Sequence, residues 1–478
     1  MPVLISVLSV IAILTVILVV RALAFRANNI EAKPQEALFV NAEKAVSDLA
    51  EMIKCKTVSN FNRELEDERE FNKFKTLLPT LFPKVYQECE YTEVGDRGIL
   101  LRLSGRLHTA PTVLMAHYDV VSANEENWQK PPFLGVIENG VLWGRGTLDT
   151  KGTLNGILQA AETLIAEGFV PENDIYFAFG GDEEINGHGA SDIVELFSKR
   201  GITPALVLDE GGAVAENVFP GVKRPAALVG IAEKGALNVE YSVKDTGGHA
   251  SAPKAKTPVD RLSSACIAVH KRPFKFKVSE PVAKLFDTLG RHSTFAYRLI
   301  FANLWFFSPI LNIIAKKQGG ELNALVRTTA AFTKMSGSEG FNVIPPYASM
   351  TSNVRICPGE TKESVLKRIR DIVKDKNVEI LEIEGMNPSP VSNTDCEAYE
   401  RVRSAIMETW QDAIVSPYLM FACSDSRHWC RICSNVYRFS AMTISSEERV
   451  GIHGNDERIP IGTVTEAVKF YIRLIKKC

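Results

Sequence analysis

The chain has 478 residues, 45% of them apolar and 23% charged, with 55 Lys and Arg against 57 Asp and Glu for a formal charge of −2. At about 150 residues per domain this length implies roughly three folding units with a substantial core, and the composition excludes a disordered, collagen-like or disulfide-scaffold chain. The near-neutral balance lacks the clustered basic excess that phosphate backbones attract, so no nucleic-acid partner is expected.

Residues 1–20 carry no charged side chain. At 1.5 Å per residue the apolar run 3–20 makes a helix of about 27 Å, close to the hydrocarbon thickness of a bilayer. Arg21 and Arg26, the first basic residues, flank its C-terminal end. That bias predicts a single-pass N-terminal anchor with a cytoplasmic main body. Ala22-Leu23-Ala24 resembles a small-x-small cleavage site, and a cleaved signal would make the protein secreted or lumenal. The length of the apolar core and the lack of a preceding Lys or Arg favour the anchor. A buried globular helix is disfavoured because the segment has no polar face.

From residue 35 the character changes. Leu38, Ala42, Ala45, Leu49 and Ile53 recur at helical spacing and predict an amphipathic helix over 37–53. Short apolar runs at 113–116, 175–179 and 205–208 then alternate with helical stretches at 154–167 and 190–199, the pattern of an α/β unit with a mostly parallel sheet flanked by helices. Beyond residue 231 the rhythm becomes strand 237–243, helix 259–270, a long insertion, strand 348–356, helix 363–374 and strand 378–383, an α+β sandwich. After Pro388 and Pro390, a helix at 396–410 and further strands return to the first pattern. The chain is therefore divided into an anchor (1–26), a first catalytic part (35–229), an inserted domain (230–386) and a second catalytic part (387–478).

Polar side chains gather where the apolar strands end. The run 113–116 ends in His117-Tyr118-Asp119, whose outer two residues share a face because strand side chains alternate. A carboxylate so placed can fix the tautomer of a metal-bound imidazole. Asp149 lies between a glycine-rich stretch and a helix starting near Thr153. The strand 175–179 runs into Asp182-Glu183-Glu184, three acids that repel unless a cation or proton joins them. Asp209 and Glu210 close the next apolar run, and His453 occupies a late glycine-flanked turn. Each alone is also what a helix cap, a turn or a solvated face looks like. Together His117, Asp149, Glu184, Asp209 and His453 form a set, because open parallel sheets build ligand sites beyond the carboxyl ends of their strands. Two imidazoles and three carboxylates suit two Zn²⁺-like ions, with one Asp bridging them and Glu183 left to move the proton of an activated water.

With these motifs the chain resembles the co-catalytic zinc metallopeptidases and amidohydrolases that include aminoacylase, glutamate carboxypeptidase and carboxypeptidase S. The resemblance covers nearly the whole soluble chain: residues 115–121, 144–152, 181–187, 209–212, 247–251, 342–345 and 452–455 follow the family's order. His117-Tyr118-Asp119-Val120-Val121, followed by Trp128 and Pro131-Pro132-Phe133, is most similar to the carboxypeptidase S and N-acyl-amino-acid hydrolase branch. It implies a zinc-exopeptidase fold with a lid domain and two Zn²⁺ per chain. Asp149 would bridge, His117 and Asp209 would complete one site, and Glu184 and His453 the other. Glu183 would be the general acid/base and Asp119 would orient His117. The resemblance also implies a cis peptide after Asp149, where this chain has Thr150 and the family often has Asp or Asn.

In the inserted domain, His249 of Gly247-Gly248-His249-Ala250-Ser251 resembles a lid histidine that stabilises the tetrahedral intermediate. Asn342, Arg355 and Arg427 match substrate-contacting positions, and a guanidinium can grip a free carboxylate bidentately. The expected reaction is cleavage of an amide next to a free carboxylate, in a small peptide or an N-acyl amino acid. A non-catalytic binding protein of the same fold and an anchored scaffold are the alternatives; the complete ligand set and Glu183 speak against them. The basic flank points the body to the cytoplasm, whereas the resembled branch is generally lumenal or exported.

The insertion at 284–317 is rich in aromatic and branched residues, suiting an acyl-chain groove, membrane contact or packing, including a homodimer through the lid domain. Nine cysteines form no regular framework. Cys430 and Cys433, with Cys423 and His428 nearby, lack the second pair of a zinc site and read as half-buried thiols.

Overall fold

Pro2–Ala24 forms one continuous helix, α1, exposed along nearly its whole length, in a computed structural model that describes residues 2–27 and 37–478. The expected start of the main body at residue 35 lies outside the described residues. The predicted amphipathic helix is shorter than its periodicity: α2 (Ala42–Ile53) begins only where the Asn41 side chain accepts from the Lys44 N–H. A capping side chain satisfies a helix donor that periodicity alone leaves unpaired. Helices α3 (Glu68–Leu81) and α4 (Pro83–Glu88) meet at Phe82, because Pro83 cannot continue the first helix.

Strands β1 (Glu90–Val94), β2 (Gly98–Leu103) and β3 (Leu107–His117) come next, then a small hairpin of β4 (Val136–Glu138) and β5 (Val141–Trp143). The unit α5 (Lys151–Ala166), β6 (Asn173–Gly180), α6 (Gly189–Arg200), β7 (Leu206–Ala215) and β8 (Ala226–Glu233) supplies the alternation read from the sequence. β9 (Gly235–Lys244) and the short β10 (Gly248–His249) follow, with α7 (Pro258–Lys271), α8 (Glu280–His292), α9 (Phe295–Phe301), α10 (Leu304–Gln318) and α11 (Gly320–Leu325). The chain ends through β11 (Thr329–Ser336), β12 (Val343–Ile344), β13 (Tyr347–Ile356), α12 (Lys362–Val373), β14 (Glu379–Met386), α13 (Glu397–Thr409), β15 (Ile414–Met420), α14 (Ser426–Trp429), β16 (Val436–Thr443), α15 (Ser446–Gly451), β17 (Arg458–Pro460) and α16 (Ile461–Ile475).

The main sheet has the order β1-β2-β6-β3-β7-β16-β8-β15, and β6, β3, β7 and β16 are parallel neighbours. Every residue of β6 is buried, as expected of a parallel strand covered on both faces. In β3 the alternation is explicit. Leu114 and Ala116 join a core with Leu154, Ile157, Phe470 and Tyr471, while Val113 and Met115 join Ile193, Phe197 and Trp429 on the opposite face.

A second, wholly antiparallel sheet has the order β11-β13-β9-β14 and buries its own core against α7 and α12. The long insertion between α7 and β11 does not stay with that sheet. Val282, Leu285, Phe286 and Leu289 of α8 pack with Ala226, Ala232, Ile414 and Leu419, covering the β8–β15 edge of the main sheet.

Candidate active site

β3 and β6 end side by side, with His117 opposite Gly180 in the parallel register. Thr150 braces the end of β3: its hydroxyl accepts from the His117 N–H and donates to the His117 carbonyl, both at 3.0 Å. Nδ1 of His117 faces the Asp119 carbonyl at 3.0 Å and Asp119 Oδ1 at 3.4 Å. Two acceptors on that side hold a proton on Nδ1, and Nε2 is directed into the cleft. There Nε2 lies 2.9 Å from Asp149 Oδ1 and 3.5 Å from Glu210 Oε1.

Asp119 also builds the neighbouring turn. Its carboxylate accepts from the backbone N–H groups of Glu183 and Glu184, each at 3.1 Å, and from the Ser59 hydroxyl at 2.7 Å. Glu183–Ile185 is thereby held as one short turn, closed by Asn186 in the left-handed region. The third acid of the run turns away. Asp182 accepts from the His188 and Gly189 N–H groups at 2.9 and 3.0 Å and pairs with Arg63 at 3.2 Å. Gly181 is required by close approach, since a Cβ there would fall 2.3 Å from the Tyr118 ring.

Asp149 lies at the junction of two loops, before a cis peptide bond to Thr150, the geometry that the sequence resemblance implied. Glu457, fully buried, accepts from the N–H groups of Gly146, Leu148 and Asp149 at 3.0, 2.8 and 3.2 Å, and pairs with Arg145 at 2.8 Å. Arg145 reaches on to the Gly454 carbonyl at 2.7 Å, beside His453. His453 Nε2 then lies 3.0 Å from Asp149 Oδ2 and 3.1 Å from Glu184 Oε2. Lys151 secures the start of α5 by donating to the carbonyls of Met52 and Cys55 at the end of α2, and burial pushes its ammonium down to about 8.

The charges of this cluster are unbalanced. Burial raises the Glu183 and Glu210 carboxyls well above the usual carboxylate range, with neighbouring acids adding to the effect and His117 opposing it. Burial acts the same way on Asp149, but hydrogen bonds from His117 and His453 outweigh it and hold that carboxyl low. Asp149 and Glu184 raise His453 to about 10. Ligand atoms of His117, Asp149 and Glu184 lie within 4.8 Å of one another, as do those of His117, Glu183 and Glu210. Glu184 Oε1 is buried with no hydrogen-bond partner. Acids crowded against imidazoles, with one carboxylate oxygen left over, are a donor set that fits divalent cations.

Of the five ligands expected from the sequence, His117, Asp149, Glu184 and His453 converge. Asp209 makes no hydrogen bond or ion pair with them among the described residues, although it lies near enough to His117 for the imidazole to oppose the burial that raises its carboxyl. Its Oδ2 accepts from the Ser426 N–H at 2.8 Å, and the next residue, Glu210, faces His117 instead. The register of β7 against β16 shifts directly after Asp209, so strict alternation does not sort this pair to opposite sides. Glu210, which faces His117, and the brace Glu457 were not singled out by the sequence reading. The acid doublet was the signal for Glu210; Glu457 gave none beyond lying four residues after His453.

The remaining candidates border the cluster. Arg427 donates to the Ser424 carbonyl at 2.9 Å and to Asn186 Oδ1 at 3.1 Å, next to the turn that bears Glu183 and Glu184. Arg355, at the end of β13, reaches Cys423 Sγ at 3.7 Å on the same 423–427 loop. His249 and Asn342 lie together in the second sheet's outer loops, where Ala250 N–H donates to the Asn342 carbonyl at 2.9 Å and His249 Nδ1 is 2.7 Å from Ser251 Oγ. Both are exposed, and no contact among the described residues joins them to the acidic cluster. Cys430 and Cys433 are not paired: Cys430 faces the Ser426 carbonyl and Arg438, and Cys433 faces the Asn435 N–H. A cavity of about 1160 Å³ between α8 and α13 lies apart from the cluster and contains none of these side chains.

Residues 113–477 match the family described as Peptidase family M20/M25/M40. The chain is similar to a probable carboxypeptidase S-like 2 of Dictyostelium discoideum, 36% identical over 436 residues, 90% of this chain and 84% of that one. It is equally similar to the N-fatty-acyl-amino acid synthase/hydrolase PM20D1 of Xenopus tropicalis, 36% identical over 446 residues, 91% and 86% of the two chains. Among solved structures, an M20 family metallo-carboxypeptidase of Sulfolobus solfataricus shares the fold with a TM-score of 0.68 at 16% identity, over 90% of this chain and 98% of that one.

Proposed function

The chain belongs to peptidase family M20/M25/M40 and is a hydrolase of amide bonds, and from that premise we propose that it uses two zinc ions to cleave the amide of N-acyl amino acids or small peptides beside their free carboxylate. The observation that carries this reading is the convergence of His117, Asp149, Glu184 and His453 around an unpartnered carboxylate oxygen. Asp149 presents one oxygen to each imidazole and would serve both cations. His117 and Glu210 would help hold one of them, and Glu184 and His453 the other. Bound there, the cations would polarise the scissile carbonyl and lower the pKa of a water molecule.

The chain's own groups do the rest. Glu183 takes the proton of the attacking water and delivers it to the nitrogen of the departing amine. Asp119 holds both His117 and the turn bearing Glu183, so ligand and base share one support. Arg427 and Arg355 receive the substrate carboxylate. His249 and Asn342 belong to a lid formed by the second sheet, and its closure brings His249 to the carbonyl oxygen. Fatty-acyl substrates are favoured over peptides by the relatives named for them. α1 is the membrane anchor: 23 residues, without a buried stretch, and apolar enough to cross a bilayer.

Turnover of the zinc-loaded full chain on long-chain N-acyl amino acids, their carboxamide counterparts and dipeptides tests the reading. Hydrolysis of the acids with the amides at least about tenfold slower is expected, the value of one charge-assisted contact. A zinc-replete protein that cleaves none of the panel would overturn it.

A further inference from the structure

α9 and α10 meet at a bend of 103°, and the vertex of that bend is fastened to α1. Asn303, fully buried, donates through Nδ2 to the Leu18 carbonyl at 3.0 Å. Arg21 returns the contact, donating to Asn303 Oδ1 and to the Ala302 carbonyl, both at 3.0 Å. Leu18 lies inside the uncharged run of α1 and Arg21 at its boundary. Whatever depth Leu18 takes in a bilayer, the vertex of the hairpin takes with it, one helical turn inward of the first charge.

From that vertex α10 presents an apolar face outward. Trp305, Phe306, Ile310, Ile313 and Ile314 are between 38% and 66% exposed. Their successive spacings of one, four, three and one residues place them on one side of the helix. The helix ends in exposed Lys316 and Lys317, and Trp305 stands at its start, the order of side chains suited to an interface between hydrocarbon and water. The remainder of the insertion is different: α8 buries its apolar side on the main sheet.

We propose that α9 and α10 form a second membrane-embedded element, packed beside α1, with the outward face of α10 in contact with lipid acyl chains. The inference rests on the anchor reading of α1. It also gives the insertion a bearing on catalysis. Asn312 of α10 accepts from Arg327 at 2.6 Å, beside the start of β11, whose Thr329 pairs with Arg355. Glu321 of α11 pairs with Arg449, in the helix that precedes the His453 turn, at 3.1 Å. The element that meets lipid is thus continuous with both sides of the candidate cleft.

The full chain reconstituted with phosphatidylcholine vesicles tests both layers of the argument. Co-flotation with the vesicles reports α1, and quenching of tryptophan emission by acyl-brominated phosphatidylcholine reports α10. Of the five tryptophans, Trp128, Trp143, Trp410 and Trp429 belong to the main body. The wild type should co-float and be quenched, and Trp305→Phe should co-float with at least a several-fold smaller quenched fraction. Co-flotation with equal quenching in both proteins would overturn the second element. If, in addition, Trp305→Asp converts a dimer to a monomer, a second copy covers the face instead. Failure of the full chain to co-float would remove the anchor, and the hairpin proposal with it.

Discussion

Arg145 and Glu457 meet as a buried ion pair at 2.8 Å, 312 residues apart in the chain. Between them they fix both loops of the candidate site. Glu457 takes the backbone donors leading into Asp149, and Arg145 takes a carbonyl next to His453. Breaking a buried pair by removing one partner leaves an uncompensated charge and costs about 3–5 kcal/mol. Glu457→Ala should lose that much stability in denaturant unfolding and bind less than its full zinc. Unchanged stability with full metal content would show that the loops hold without the pair.

Glu183→Gln should lower kcat by about 10²- to 10⁴-fold, the usual contribution of a positioned general base, while zinc stoichiometry stays at the wild-type value. Glutamine keeps the shape and the backbone hydrogen bond to Asp119 but cannot accept the water's proton. Loss of zinc together with activity would instead mark Glu183 as a ligand.

The acid doublet on β7 gives a sharper comparison. Glu210→Gln removes the carboxylate facing His117 at 3.5 Å and should weaken zinc binding. Asp209→Asn keeps an oxygen for the Ser426 N–H and should retain most of the metal. Zinc titration of the two variants checks the order. The reverse order would restore Asp209 as the ligand.

His453 links metal binding to pH. Without metal its imidazolium is stabilised by Asp149 and Glu184 up to about 10, above the unperturbed value of about 6.5. A folded-state value raised in this way contributes stability that is complete below about pH 6.5 and is lost as pH rises through about 10. Zinc requires the neutral ring, so binding at pH 8 should expel this proton and affinity should rise with pH. Proton release measured on zinc addition should fall in His453→Gln. Equal release in the variant would show that His453 is already neutral.

Four of the five expected ligand positions, those that converge, were legible because each stands at the end of an apolar run or in a glycine-flanked turn, where the main sheet opens. The Asp209–Glu210 choice was not. It depends on which side the strand faces at its end, and a shift of one residue exchanges the two. Glu457 was hidden for another reason: besides the Arg145 side chain, its partners are backbone donors 308–311 residues away, which carry no side-chain pattern. The insertion's oily composition was plain, but its division into a buried α8 and an outward-facing α10 is a tertiary fact. The sequence also made residue 37 a helix start, whereas the Asn41 cap delays it to Ala42.

Substrate polarity should be read by two arginines that meet at one loop, Arg427 on it and Arg355 reaching it from β13. Arg427 is held by the Ser424 carbonyl and Asn186 and lies 3.9 Å from Asp425, whose buried carboxyl is pushed up to about 8. Asp425 therefore neutralises Arg427 only in part near neutral pH, leaving positive charge for an incoming carboxylate. A charge-assisted hydrogen bond contributes about 1.5–3 kcal/mol, so Arg427→Ala should raise KM for an acid substrate roughly 10- to 150-fold. KM for the matching carboxamide should hardly move, because the amide never made the contact. Arg355 reaches the same loop through Cys423, and Arg355→Ala should act in the same direction. Equal effects on acid and amide would mean that these side chains hold the loop rather than the carboxylate, and the substrate's free carboxyl would then need another partner.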